Sequence, residues 1–573
     1  MKQFKNLGMI AFVVLMIFPC GVSASDWTQF QFDVYNKGIT PDKAPITSPD
    51  PGLSWDYMFP GGVGPGSISC PPLIVGDTIY ATTKGQVSAI NKTTGLEKWT
   101  VFIDPSGYQL GSPAYGNNTL FIPGNNGKIY AVDTDGNIKW SVLAGDWLYT
   151  PITYDEHKIF FGDCNDFNGV NGKYYCYYDN GTKLWERDSN TDGGYYWAGA
   201  TVIGEYLVFG DSAGLLTSVY KNNKTIRDEI DVGTEFGISD IGGIKSSVSY
   251  NEDNNRLYFT SKKGTEGYLF ALGFNADGTF NRSEKYSASI LESTSTPTFY
   301  NGRLYVGEGG LGNGKLYCFR ESDLSKIWEY TPNSGVKASP VITSAYDNGD
   351  GEVYIYFTTN TGSNSRVYCL RDYPGNTQPE DVWYYQPPSE KNQYTLQGVA
   401  ISDGWLYYGN DGGYLFGLAT EQSIEPRYVF ANFTVNITSG DPPLSVEFTD
   451  SSVNATYLEW DVDGDGVVDY NGPNPTHTYN ESGDYTVTLT ASNAYGDDTH
   501  IAYINVDWNP WNKPGSDGTN ASGEADGRYI TIGEVIDAYN CWRHTEKAPV
   551  TEAYVTIGNV IDMYNAWRFS EPM

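Results

Sequence analysis

From residue 85 onwards the chain alternates short apolar runs with tight polar turns, and one cadence keeps returning. Residues 85–99 read GQVSAINKTTGLEKW, 127–140 read GKIYAVDTDGNIKW and 172–185 read GKYYCYYDNGTKLW. Each predicts a strand, a turn and a second strand carrying tryptophan. The Thr-Gly, Asp-Gly and Asn-Gly pairs supply the positive φ that tight hairpins require. Weaker copies begin near Gly214, Gly267, Gly314, Ser365 and Gly413. The spacing, roughly 42 to 53 residues, is the period of a four-stranded propeller blade. In the second copy all four strands are legible as GSPAY, TLFIP, KIYAV and IKWSV. The slot of Ala131 in KIYAV holds Cys176, Cys318 and Cys369 in other copies, so these cysteines read as small buried residues on equivalent strands. A Cys164–Cys176 disulfide is left open.

The last copy, WLYYGNDGGYLFGLA, has no tryptophan strand of its own. GLSWDYMF at 52–59 follows the pattern of GLEKWTVF at 95–102, yet no first three strands precede it. The expected solution is a ring in which the N-terminal strand completes an eighth blade and no sheet edge is left open. The fold expected is mainly β, an eight-bladed propeller over 25–425 followed by two smaller modules.

Residues 428–507 predict a β-sandwich. Tyr485, Val487 and Leu489 alternate as a half-buried strand does, and Trp460 and Tyr479 are candidate core anchors. A polar linker, 508–522, leads to two copies of one element within 523–573, YITIGEVIDAYNCWRHT and YVTIGNVIDMYNAWRFS. Ile532, Val535, Ile536, Tyr539 and Trp542 recur as Ile557, Val560, Ile561, Tyr564 and Trp567. Offsets of 3, 4, 7 and 10 from the first isoleucine place them on one helical face, expected both to pack the helices together and to dock a partner. Thr531 and Thr556 are expected N-caps.

Composition and charge narrow the function. Aromatic residues make up 15%, and 65 Gly suit many short strands joined by turns. Lys and Arg number 36 against 69 Asp and Glu, a formal net charge of −33, and such a surface repels nucleic acid. Lys2 and Lys5 precede an apolar run from Met9 to Phe18 and the small residues Val22 and Ala24, the pattern of a cleaved export signal over 1–24. No second long apolar segment follows, so no transmembrane segment is expected after cleavage, and the mature protein is expected outside the cell. Ten N-x-S/T sequons, from Asn91 to Asn520, agree with export.

Residues 25–425 resemble the PQQ-type eight-bladed propeller superfamily, both in the repeat and in the opening DWTQFQFDVYNKG. The resemblance implies the fold and says little of activity, since one fold serves many functions. PLSVEFTDSS, YLEWDVDGDG, PTHTY and GDYTVTLTASNAYG resemble a PKD domain, an immunoglobulin-like spacer or contact module of surface proteins and secreted hydrolases. The duplicated helical element resembles a dockerin module, and the partner this implies is a cohesin-like surface protein. The acidic calcium loops of that family are nearly missing: GEADGRY has only Glu524 and Asp526, and APVTEAY has less. The combination is similar to cell-surface proteins of methanogenic archaea.

Quinoprotein dehydrogenases of the superfamily carry adjacent cysteines beside their cofactor. This chain has no Cys-Cys pair and no C-x-x-C-H haem motif, so PQQ is not expected. One propeller histidine, His157, expected in a hairpin between outer strands, supports neither a zinc cluster nor a Ser-His-Asp triad. A ligand is expected at the mouth of the propeller channel, just before the innermost strands. Trp147, Tyr149, Tyr195, Tyr196 and Trp197 would offer rings to sugars, Lys245 and Lys337 would hold an anionic group, and Gln397 lies beside them. In DVDGDGVVD, Asp461, Asp463, Asp465 and Asp469 occupy positions 1, 3, 5 and 9 of a calcium loop, with Gly472 in place of the acid at position 12. The function expected is an exported, modular cell-surface binding protein, touching protein or polysaccharide and docking through its tail. The competing expectation is a secreted enzyme, PQQ-like or carbohydrate-active, with its site in the channel.

Overall fold

A computed structural model describes residues 26–60, 70–103, 111–164, 171–420, 423, 429–506, 532–545 and 555–569, except 193, 311, 397, 441, 482 and 494–495. Two units divide the chain, one ending at Glu425 and the other starting at Pro426. No helix of the described residues is long and apolar enough to cross a membrane.

The repeat builds eight antiparallel blades. In the first, Leu73–Val75, Thr78–Thr83, Gln86–Asn91 and Glu97–Phe102 run from the innermost strand outwards. The eighth takes Ala400–Ser402, Trp405–Gly409 and Tyr414–Leu418 from the end of the repeat and Trp55–Met58 from its beginning. Trp55 pairs with Gly417 and Met58 with Tyr414 in an antiparallel register.

Shared apolar cores join each blade to the next. Val87 and Leu120 sit in one cluster, Phe121 and Phe161 in another, then Phe160 with Phe209, Leu216 with Phe259, Tyr258 with Leu304 and Tyr305 with Ile355. The last cluster holds Tyr356, Leu406 and Ile79 together, which returns from the seventh blade through the eighth to the first. The ring is closed.

The two constants of the repeat, tryptophan and turn glycine, meet across blades. Trp99 donates its indole N–H to Thr134 O at 2.9 Å, and Gly136, at φ +88°, lies under its ring. A Cβ there would come within 2.9 Å of Trp99 Cδ2. Trp140 donates to Asp179 O and Trp185 to Lys221 O in the same way. Trp55 does so to Lys92 O at 3.2 Å and covers Gly95, so the N-terminal strand closes the ring with the same joint. The fourth blade has no such tryptophan, and there Arg227 pairs with Asp277 of the next hairpin at 2.6 Å. Opposite each ring stands a small residue: Ala89, Ala131, Cys176, Cys318, Cys369 and Gly417 face Trp99, Trp140, Trp185, Trp328, Trp383 and Trp55. That explains Cys176, Cys318 and Cys369, which are buried thiols outside any disulfide, so the Cys164–Cys176 bridge is not formed.

The opening stretch is a strap across the innermost strands. Trp27 bridges Ile74, Thr28 O accepts from Tyr115 N, and Gln29 Oε1 accepts from Tyr154 N, touching blades one to three in turn. Val34 O and Tyr35 O accept from Val202 N and Tyr250 N of the fourth and fifth. Gln31 reaches Thr298 and Pro340, Ile39–Thr40 pairs in parallel with Ile342–Thr343, and Lys43 O accepts from Gly404 N. Inner-strand groups with no sheet partner are thereby satisfied.

In the second unit a three-stranded sheet, Phe433–Val435, Leu444–Asp450 and Thr476–Tyr479, accompanies a five-stranded one that includes Gly483–Asn493 and Gly496–Val506. Trp460 and Tyr479 are buried in their common core, as their pattern predicts. The helices span Ile532–His544 and Ile557–Phe569. Thr556 caps the second, its hydroxyl accepting from Asn559 N at 3.2 Å. Thr531 lies outside the described residues.

Candidate functional site

At the channel the structure brings two of the expected residues, Trp197 and Lys337, to one cavity and places others apart from it. Trp197 and Lys337 line its narrow cavity with Thr294, Thr296, Ser339 and Leu396, and Phe30 of the strap enters as well. Trp197 holds φ +61°, and its buried indole N–H finds no acceptor among the described residues. Burial lowers the Lys337 ammonium below the ordinary lysine range; Lys262 adds to this and Glu292 opposes it. The cavity measures only about 20 Å³. Small-molecule sites usually offer roughly 300–1,000 Å³, far more than this space.

Tyr195 is a correction. It is 1% exposed, wedged against Tyr174 and Phe209 with centroids 4.9 and 5.6 Å away, where Gly162 leaves room for its ring. It packs the third blade on the fourth. Tyr149 is buried too, between Trp147 and Tyr196 at 5.8 Å each. Lys245 is engaged, donating to Ser212 Oγ at 2.7 Å and lying 4.9 Å over the Tyr196 ring. Gln397 lies outside the described residues. His157 is in the hairpin joining the two innermost strands of its blade, not among outer strands, with Nδ1 2.8 Å from Asp179.

The acidic loop brings Asp461, Asp463 and Asp469 together, their nearest oxygens within 4.8 Å of one another. Asp465 is not of this group, and its carboxylate accepts from Val467 N. Asp461 accepts from Gly464 N and Gly466 N, and Asp469 from Val462 N, so two of these carboxylates also tie the loop. Three carboxylates are the hard donors calcium takes, but its shell needs about six to eight oxygens. The three carboxylates supply part of such a shell, and no chemistry is assigned to them.

The helical stripe splits. Val535, Ala538, Val560 and Met563 make the seam, with Cys541 and Val555 partly buried against it. Ile536, Tyr539 and Trp542 are exposed, as are Ile557, Ile561 and Tyr564. Small Ala538 admits the neighbouring helix, which turns the bulky positions aside. The side chains of Ile532 and Trp567 lie outside the described residues.

With this geometry in place, the relatives can be named. Residues 83–278 match the family profile described as outer membrane protein assembly factor BamB, and residues 431–506 match the PKD domain. The chain carries a PQQ-type repeat propeller and a PKD domain. Among solved structures, BamB from Moraxella catarrhalis is 16% identical, with 64% of this chain and 97% of that one covered and a TM-score of 0.46. A europium-containing methanol dehydrogenase is 11% identical, with 69% and 98% covered and a TM-score of 0.48. The quinohemoprotein alcohol dehydrogenase from Comamonas testosteroni is 12% identical, with 72% and 83% covered and a TM-score of 0.49. No curated protein matches the chain. The fold alone does not choose between catalysis and binding.

Proposed function

We propose that this is an exported, non-catalytic binding protein. The propeller presents a rigid contact face, the PKD domain serves as spacer or contact module, and the helix pair docks to another surface protein. The observation that carries this reading is the repeated apolar face of the helices. Ile536 and Tyr539 are 52% and 43% exposed, and their equivalents Ile561 and Tyr564 are 52% and 43% exposed. Exposed apolar surface of this kind, at matched positions of a duplicated element, suits a protein partner. The narrowness of the cavity at Trp197 and Lys337 supports the non-catalytic side, and the export pattern with its sequons supports a place outside the cell.

The test is capture from the producing cell's surface extract with the full mature protein, compared with a Tyr539→Ser/Tyr564→Ser double variant. A surface protein retained by the parent and lost by the variant is expected. Equal retention by both, or none by either, removes the docking reading. Retention of added PQQ with alcohol-dependent dye reduction would overturn the non-catalytic one.

A further inference from the structure

Three blades offer three copies of one position. Lys173, Lys315 and Arg366 each stand three residues before the cysteine of their strand. Glu186, Glu329 and Tyr384 each follow the tryptophan opposite that cysteine. In the third blade Lys173 pairs with Glu186 at 2.7 Å, and in the sixth Lys315 pairs with Glu329 at 2.5 Å. The seventh blade keeps the cation and replaces the carboxylate with an aromatic ring. The Arg366 guanidinium lies over Tyr384, 4.1 Å from its centroid. It donates to neutral acceptors, Gln386 Oε1 at 2.9 Å and Tyr368 Oη at 3.3 Å, and pairs with no carboxylate among the described residues.

This departure lines a cleft of about 800 Å³ between the sixth and seventh blades. That volume lies within the range of about 300–1,000 Å³ typical of small-molecule sites. Tyr330, Tyr368 and Tyr384 step across it with centroids 6.0 and 5.8 Å apart, and Tyr384 is 54% exposed. Asp381 accepts from Tyr330 Oη at 2.6 Å through one oxygen and has a second to offer. Asn333, at the rim, is committed to the wall: its Nδ2 donates to Asn364 O at 2.6 Å and its Oδ1 accepts from Thr359 Oγ1 at 2.8 Å.

We propose that this cleft binds an acidic saccharide. A pyranose presents C–H faces to aromatic rings and hydroxyls, each donor and acceptor at once, to flanking polar side chains. The sugar carboxylate sits on Arg366, with Tyr384 against the ring and Asp381 on hydroxyls. A polyphosphate needs more than one cation here and finds only Arg366 in the cleft lining. The assignment rests on the binding reading and adds a ligand class, at a site separate from the helices.

The test is calorimetry on the full mature protein with galacturonate, glucuronate and mannuronate trisaccharides, against maltotriose and triglutamate. Tyr384→Glu writes the sister blades' carboxylate back beside Arg366, so the fold is kept. At least one uronate trisaccharide is expected to bind, at least tenfold more weakly to Y384E and to R366Q, and more weakly at high salt, with the melting temperature of Y384E no lower than the parent's. The assignment is overturned if no uronate binds, if maltotriose or triglutamate binds as tightly, or if Y384E binds as the parent does. Loss of saccharide binding with partner capture intact strikes the cleft alone.

Discussion

Two duplications share this chain and end differently. In the propeller the tryptophan on an outer strand packs on a turn of the next blade, and Trp55, supplied from the N-terminal strand, covers Gly95 so that the cycle has no spare end. In the helix pair only Val535, Ala538, Val560 and Met563 are consumed, while Ile536, Tyr539, Ile561 and Tyr564 remain in solvent. A cyclic repeat uses up its own adhesive surface, and a two-copy repeat has some left over. Contacts with other molecules are therefore to be sought where a repeat stays open, or where one copy departs from its sisters.

The sharpest way to break the comparison is to open the ring. Trp55→Ala removes a half-buried ring that packs on Gly95 and Gly417 at the closing joint. Large-to-small changes of aromatic residues cost about 3–5 kcal/mol when fully buried, so a loss of about 3 kcal/mol is expected in urea unfolding. Residues 55–58 should also become open to protease. A cost below about 1 kcal/mol would mean that the strap, which reaches every blade, holds the ring without this joint.

The helix pair is the next lever. Met563 is fully buried in the seam, and Met563→Ala should cost it about 2 kcal/mol, seen as faster amide exchange over 532–545 and 555–569. Tyr564→Ser, one position away and exposed, should change exchange little, by less than about 0.5 kcal/mol, while weakening partner capture. Equal effects of the two changes would erase the distinction between seam and spare face.

The parts legible in the sequence were those written locally. The turn glycine, the tryptophan and the small residue opposite it recur at fixed offsets, and the strand missing from residues 405–418 points directly to residues 52–59. Trp460 and Tyr479 stand out because one buried aromatic per strand is enough to anchor a sandwich. What stayed hidden depends on pairs far apart in the chain. Tyr195 is turned inward by space at Gly162, and the strap has no repeat to reveal that its carbonyls serve each blade in turn. The helical stripe is five positions wide, more than two helices can bury against each other, and nothing local says which positions win. Tyr384 looks ordinary in VWYYQ until the strand register sets it where two other blades place glutamate.

The smallest effect tests that last contrast through pH. In the third blade, hydrogen bonds from Lys173 and Lys183 hold the Glu186 carboxyl down at about 2, below its ordinary value of 4.5. The folded state thus binds this proton more weakly than the unfolded chain does. The stabilisation is present above the ordinary glutamate range and is lost as pH falls from about 4.5 towards 2. Glu186 is about a third exposed, so solvent screening keeps its worth below about 1 kcal/mol. Glu186→Gln should therefore lower the urea midpoint slightly at pH 7 and hardly at all near pH 2, with the difference shrinking in salt. Tyr384→Glu should bring the same acid-sensitive increment to the seventh blade, because Arg366 is already in place to receive it. A pH-independent response in either variant would show that the sister positions are alike in sequence register only, and that a carboxylate beside Arg366 is not the partner this blade lacks.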